Sequence, residues 1–158
     1  MISFGAPADD DIESHVIIED VMVVAASRSH PILRRRQRIR INDLLQYRWV
    51  LAPASVESRR WLDGAFDARG LERPLPQIEI NLLLLMPGLI EATHLLTFIS
   101  RRHLASSCVG AALREVPVKA LEMRRDLKVL HRKDAYLPPA AKRLLALIRN
   151  SGTALIET

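Results

Sequence analysis

Apolar residues in this chain come in short dense runs separated by charged or proline-marked breaks, and the length and spacing of those runs set the expected elements. "VIIEDVMVVAAS" (16–27) is rich in β-branched residues and free of glycine and proline, which predicts a strand covered on both faces, as in a parallel sheet. Ser27 to Pro31 breaks it. "INDLLQY" (41–47) predicts a short helix with Asn42 as cap, and "RWVLAP" (48–53) a second buried strand that stops at Pro53. In "SVESRRWLDGAFDARG" (55–70), Trp61, Leu62, Ala65 and Phe66 share one helical stripe, Ser55 is placed to cap, and Gly70 supplies the stop.

"PQIEIN" (76–81) alternates as a strand does, and "LLLLMPGLIEA" (82–92) predicts a helix kinked or split at Pro87-Gly88. "HLLTFIS" (94–100) predicts another buried strand, "RRHLASS" (101–107) a short helix, and "LREVPV" (113–118) an irregular extended stretch. A strand is expected around Leu127 to His131. In "AYLPPAAKRLLALIRNSG", Leu137, Ala141, Leu144, Leu145 and Ile148 share a face, and Gly152 is expected to close the helix. Strands alternating with helices across short connections predict an α/β domain with a largely parallel sheet. Proline-marked breaks suggest a hinge at 27–33 and a return crossing near 115–125.

Composition narrows this picture. With 158 residues, 49% of them apolar, the chain is long enough for one domain or two small lobes. The single cysteine, Cys108, has no internal partner, and five scattered histidines show no zinc spacing. Together these predict a reducing compartment, the cytoplasm, with no structural metal and no cofactor. Inert packing is the expected role of Cys108, because a reactive thiol needs exposure and a neighbouring positive group. No export signal is visible, and the longest nearly apolar run, Leu82 to Ile90, is far short of the ~20 residues that span a bilayer.

The net charge of +5 is unevenly placed: residues 1–33 carry −5 and residues 34–60 carry +6. Much of the positive block is "RRRQRIR" (34–40), five arginines in seven positions. Nucleic-acid grooves interleave such residues with aromatics, and recognition helices spread them over one face. This run does neither, so a solvated loop is the expected reading. The glycines are too dispersed for a phosphate-cradling loop, and no G-x-S-x-G elbow aims a base at a serine, so no catalytic residue is assigned and the chain is read as a non-enzyme. His30, before Pro31, and His94, at a turn, read as packing or turn residues.

The order of these stretches resembles the effector-binding domain of LysR-type transcriptional regulators. The likeness is carried by "IEDVMVVAASRSHPI" (18–32), "INDLLQYRWVLAPASVESRRWLDGAFDARGLERP" (41–74), "LLTFISRRHL" (95–104) and "LHRKDAYLPPAAKRLLALIR" (130–149). Two positions depart from it: Ser100 stands where many relatives have proline, and Pro138 where a serine cap is frequent. The resemblance implies a two-lobed α/β fold like the type II periplasmic binding proteins, crossed by strands at 21–27 and 121–131. A partial first lobe would comprise 1–31 and 119–158, and a complete second lobe 32–118.

Several functional expectations follow from the same resemblance. A small polar or anionic effector sits in the inter-lobe cleft, and Ser55, Val56, Glu57, Ser58 and Arg59 of the "APASVESRR" loop are its expected contacts. Effector domains pair side by side as a homodimer. DNA is reached only through a winged helix-turn-helix that precedes this domain in the family and is absent from these 158 residues, which suggests a chain shortened at its N-terminal side; no membrane contact is implied. A stand-alone small-molecule-binding module, or an inhibitory partner of intact regulators, is the alternative.

Overall fold

A computed structural model describes residues 1–4, 10–82, 85–106, 109, 111–134 and 136–156. Its strands are β1 (Ile2–Phe4), β2 (Ile12–Ser27), β3 (Trp49–Leu51), β4 (Pro76–Glu79), β5 (Leu96–Ser100), β6 (Leu113–Glu115) and β7 (Met123–Arg132). The α-helices are α1 (Glu57–Asp67), α2 (Met86–Ala92), α3 (Arg101–Ala105) and α4 (Pro139–Ile156). The chain divides into two compact units, unit 1 being Met1–Asp20 with Arg124–Thr158 and unit 2 being Val21–Met123. It passes from one to the other along β2 and returns along β7.

Unit 2 holds the core. β5 lies between β2 and β3, and β4 follows β3. β3 runs parallel to β4 (Val50 beside Ile78) and to β5 (Val50 beside Thr97), whereas β2 is antiparallel to β5 (Met22 beside Ser100) and to β6 (Ala26 beside Arg114). The sheet is therefore mixed, not largely parallel as the alternation of elements predicted. Continuous apolar runs report burial on both faces, which Met22 to Ser27 show, but they carry no signal for strand direction.

On one side of these strands Trp49, Leu51, Leu62, Phe66 and Leu96 pack with Met22, Val24 and Leu121. On the other, Val50 packs with Met86, Ile90, Leu95 and Leu113. The α1 stripe behaves as its sequence predicts: Leu62 and Phe66 are fully buried, and Trp61 and Ala65 pack against the same cluster. Gly70 ends that region with φ +64°, a conformation glycine reaches without a Cβ clash, and Leu71 N–H returns to the Phe66 carbonyl at 3.1 Å.

Three local expectations are corrected. Residues 41–44 form a 3₁₀ turn capped at Arg40, not at Asn42, because the Asp43 carboxylate reaches back to accept the Arg40 N–H at 2.8 Å. Of the kink or split expected at Pro87-Gly88, the kink does not occur in α2. Pro87 stands in the first turn of α2, where its missing N–H would have no intrahelical acceptor; residues 83–84 lie outside the described set.

In unit 1, β7 lies between β1 and β2, with Ser3 of β1 antiparallel to Lys128. Here β2 alternates in burial, so the strand is longer than its dense apolar part suggested. The third correction falls on α4, which continues past Gly152 to Ile156 and leaves Leu144 58% exposed. Glycine in a helix costs only about 1 kcal/mol, and it stops one only where the chain turns left-handed. Among the described residues no helix is long and apolar enough to cross a membrane.

Candidate functional site

The turn between β3 and α1 is built by Pro53, whose carbonyl accepts the Val56 N–H at 2.9 Å. The chain reverses within Ala54–Val56 and enters α1 at Glu57. Ser55 was expected to cap this helix. Instead Val56 occupies the cap position, half-buried, with no side-chain hydrogen bond to the first turn. A valine offers no acceptor, so among the described residues no side chain caps the first-turn N–H groups at the positive end of the helix dipole. Ser55 and Glu57 are exposed beside them.

Ser58 and Arg59 face inward, 7% and 8% exposed. Arg59 donates from Nε to both Asp63 oxygens (2.9 and 3.0 Å) and from Nη1 to the Ala52 carbonyl (3.3 Å), and it lies 3.6 Å from a Glu79 oxygen. It thus ties the ends of β3 and β4 to α1. Of the five expected contact residues, the structure brings Ser55, Val56 and Glu57 to the helix mouth, while Ser58 and Arg59 lie within its packing.

β5, parallel to β3, ends in a second strand-to-helix junction. Ser100, 4% exposed, accepts the Arg102 N–H on its Oγ at 3.2 Å and caps α3. Sequence reasoning noted Ser100 only as a departure from proline; its signal was a serine between an apolar strand and "RRHL". Next to it, Arg101 makes a two-pronged pair with Glu115 (2.8 and 2.9 Å), which holds the guanidinium pKa above its ordinary value, and Glu122 lies 3.4 Å away. Ligands in open α/β sheets gather at the carboxyl ends of parallel strands, and these two junctions occupy those ends in unit 2.

The arginine run is a surface loop. Arg34, Arg35, Arg36, Arg38 and Arg40 are exposed, and Ile39, 7% exposed, is the apolar anchor among them. Four of them border an open concavity with Ala120, in which Asp43 pairs with Arg35. The Arg40 N–H holds the Asp43 carboxyl below the usual carboxylate range, and Arg35 adds to the effect. His30 is fully buried: Nδ1 accepts the Ile32 N–H and Nε2–H donates to the His94 carbonyl, both at 3.1 Å. Cys108 lies outside the described residues. The sequence spacing gave no metal site, yet in unit 1 Glu13, His15 and His131 converge.

Residues 1–153 match the family described as the LysR substrate binding domain. The chain belongs to that family. It is 32% identical over 139 residues to the HTH-type transcriptional regulator GalR of Pseudomonas putida, covering 88% of this chain and 34% of that protein. It spans between about a third and a half of the curated relatives it matches. Those relatives are transcriptional regulators, not enzymes.

Two solved structures share the fold. The Synechocystis PCC6803 CcmR regulatory domain in complex with 2-PG aligns with TM-score 0.80 and 16% identity, over 94% of this chain and 71% of that one. The effector binding domain of QuiR in complex with shikimate aligns with TM-score 0.75 and 16% identity, over 97% and 72%. The mixed α/β fold is thus that of LysR effector domains, of the type II periplasmic-binding-protein kind.

Proposed function

We propose that this chain is the effector-sensing and dimerisation part of a cytoplasmic LysR-type regulator, and that a small polar or anionic metabolite binds at the β3–α1 turn. The observation that carries the reading is the uncapped start of α1. Its N–H groups, with the Ser55 hydroxyl beside them, suit a carboxylate, a phosphate or a polyhydroxylated ring. Ser55, Val56, Glu57 and Ser58 contribute through the backbone and the Ser55 Oγ. Arg59 contributes by holding the turn through Asp63 and Glu79. The complexes of CcmR with 2-PG and of QuiR with shikimate support a ligand of this polarity. Dimer formation has support in the exposed Leu144 and Leu147 of α4, and DNA contact belongs to a helix-turn-helix outside these residues.

Thermal unfolding of the full chain with shikimate, inorganic phosphate and small carboxylates tests the site. A ligand at a hundred times its Kd stabilises by about 2.7 kcal/mol. The shift is expected to disappear in Ser55→Asp, which sets a competing carboxylate at the helix mouth, and to persist, weakened, in Ser55→Ala. A shift that survives Ser55→Asp places the ligand elsewhere.

A further inference from the structure

Unit 1 contains a cluster for which effector sensing has no use. β2 and β7 are hydrogen-bonded neighbours. The Asp11 carbonyl accepts the Lys133 N–H at 2.9 Å near one end, and Asp20 takes the Arg125 guanidinium at 2.8 and 2.9 Å near the other. The two strands therefore run antiparallel. Two residues inward from Asp11 and Lys133, Glu13 stands opposite His131, and the two-residue period of a strand sets His15 on the same face as Glu13.

The side chains meet as this register requires. His15 Nε2 lies 2.9 Å from one Glu13 oxygen, and His131 Nε2 lies 3.8 Å from the other. The imidazole centroids are 5.6 Å apart, and one donor atom from each residue falls within 4.8 Å of the other two.

The second nitrogen of one ring and the burial of the other add to this geometry. His131 Nδ1 is 3.2 Å from the Arg132 carbonyl oxygen, an acceptor within reach of that ring nitrogen. His15 Nε2 is shielded from solvent and has no hydrogen-bond partner, despite its short distance to Glu13. Two imidazole nitrogens and a carboxylate oxygen thus converge from β2 and β7, a set of atoms that can share one metal ion. A ring whose second nitrogen is fixed by a backbone carbonyl is also how metal-ligating histidines are held.

We propose that Glu13, His15 and His131 form a site for a divalent transition-metal ion of the zinc class. Two imidazoles and a carboxylate are ligands for zinc and its neighbours, whereas calcium and magnesium take oxygen. In a tetrahedral zinc site neighbouring donor atoms lie about 3.4 Å apart, so a small rotation of Glu13 and His15 gathers them, with water in the remaining position. Such an ion clips β2 to β7 and stabilises unit 1 by mass action.

Zinc titrated calorimetrically into the full chain is expected to bind one ion per chain. His15→Gln and His131→Gln are each expected to weaken binding by at least about tenfold. His103→Gln, on α3 of unit 2, is expected to leave it unchanged. Cobalt added to the unaltered chain serves where a variant fails to fold: the strong visible bands of a four- or five-coordinate ion support the site. Only the weak bands of hydrated cobalt, no zinc uptake, or full uptake by both variants overturns it.

Discussion

The two units share β2 and β7 but bury side chains on different scales. In unit 2, apolar side chains close over both faces of the sheet, and Trp49, Leu62, Phe66, Ile90 and Leu96 are all at 1% exposure or less. In unit 1, the buried residues among those described are Ile18, Asp20, Val129 and Leu130. Its long helix α4 keeps Leu144 and Leu147 at 58% and 59% exposure, and its strands are held by polar devices such as the Asp20–Arg125 pair, with Arg125 stacked 3.8 Å over Phe4. Regular secondary structure is thus present in both, while close-packed apolar support belongs to unit 2.

The largest expected effect sets one unit directly against the other. Phe66→Ala empties a fully buried position and is expected to cost about 3–5 kcal/mol, whereas Leu144→Ala, measured at a concentration where the chain is monomeric, is expected to stay within about 0.5 kcal/mol. Urea denaturation followed by tryptophan emission measures the first, since Trp49 and Trp61 are the chain's two tryptophans and both lie in unit 2. Circular dichroism at helical wavelengths measures the second. Equal losses at the two sites would mean that α4 is supported as firmly as α1.

Next in size is the buried ion pair under the candidate site. Among the described residues, Asp63→Ala leaves the Arg59 guanidinium, 8% exposed, with Glu79 at 3.6 Å to balance its charge. Removing one partner of such a pair costs about 3 kcal/mol, whereas replacing both by apolar residues of similar volume is close to neutral. Arg59→Met with Asp63→Leu is therefore expected to recover most of the loss in the same denaturation experiment. A double variant no better than Asp63→Ala would show that the tie to β3 and β4, not charge balance, is what matters there.

What the sequence made legible follows the same division. In unit 2 the apolar stripe of α1, its stop at Gly70 and the strands β3, β4 and β5 are local patterns, and local patterns read correctly. Strand direction was not legible, because β2 looks the same whether its neighbours run with it or against it. The site was half legible. "APASVESRR" marked a strand-to-helix turn that the structure contains, but a one-residue change in helix start moved the cap from Ser55 to Val56, and helix ends shift by that much without a change in composition. The Glu13–His15–His131 cluster was invisible, since His131 lies more than a hundred residues from Glu13 and His15 and only the β2–β7 register brings them together.

The smallest expected effect concerns pH and separates the units by their histidines. Burial pulls the His30 pKa below its ordinary value of 6.5, against the bond to the His94 carbonyl, which opposes the change. Well above pH 6.5 the ring is neutral in both folded and unfolded chains, so it contributes no pH dependence there. As pH falls below 6.5 the unfolded chain takes up a proton that the folded one resists, and folding stability declines. Denaturation midpoints read by tryptophan emission are thus expected to fall between pH 7 and pH 5.5. His30→Asn keeps an acceptor for the Ile32 N–H and removes the titrating ring, so it is expected to lower stability at pH 7 yet flatten the slope that His30 contributes. A slope unchanged by His30→Asn would assign the acid sensitivity of unit 2 to its other titrating groups, and would leave the packing around His30 as the residue's whole contribution.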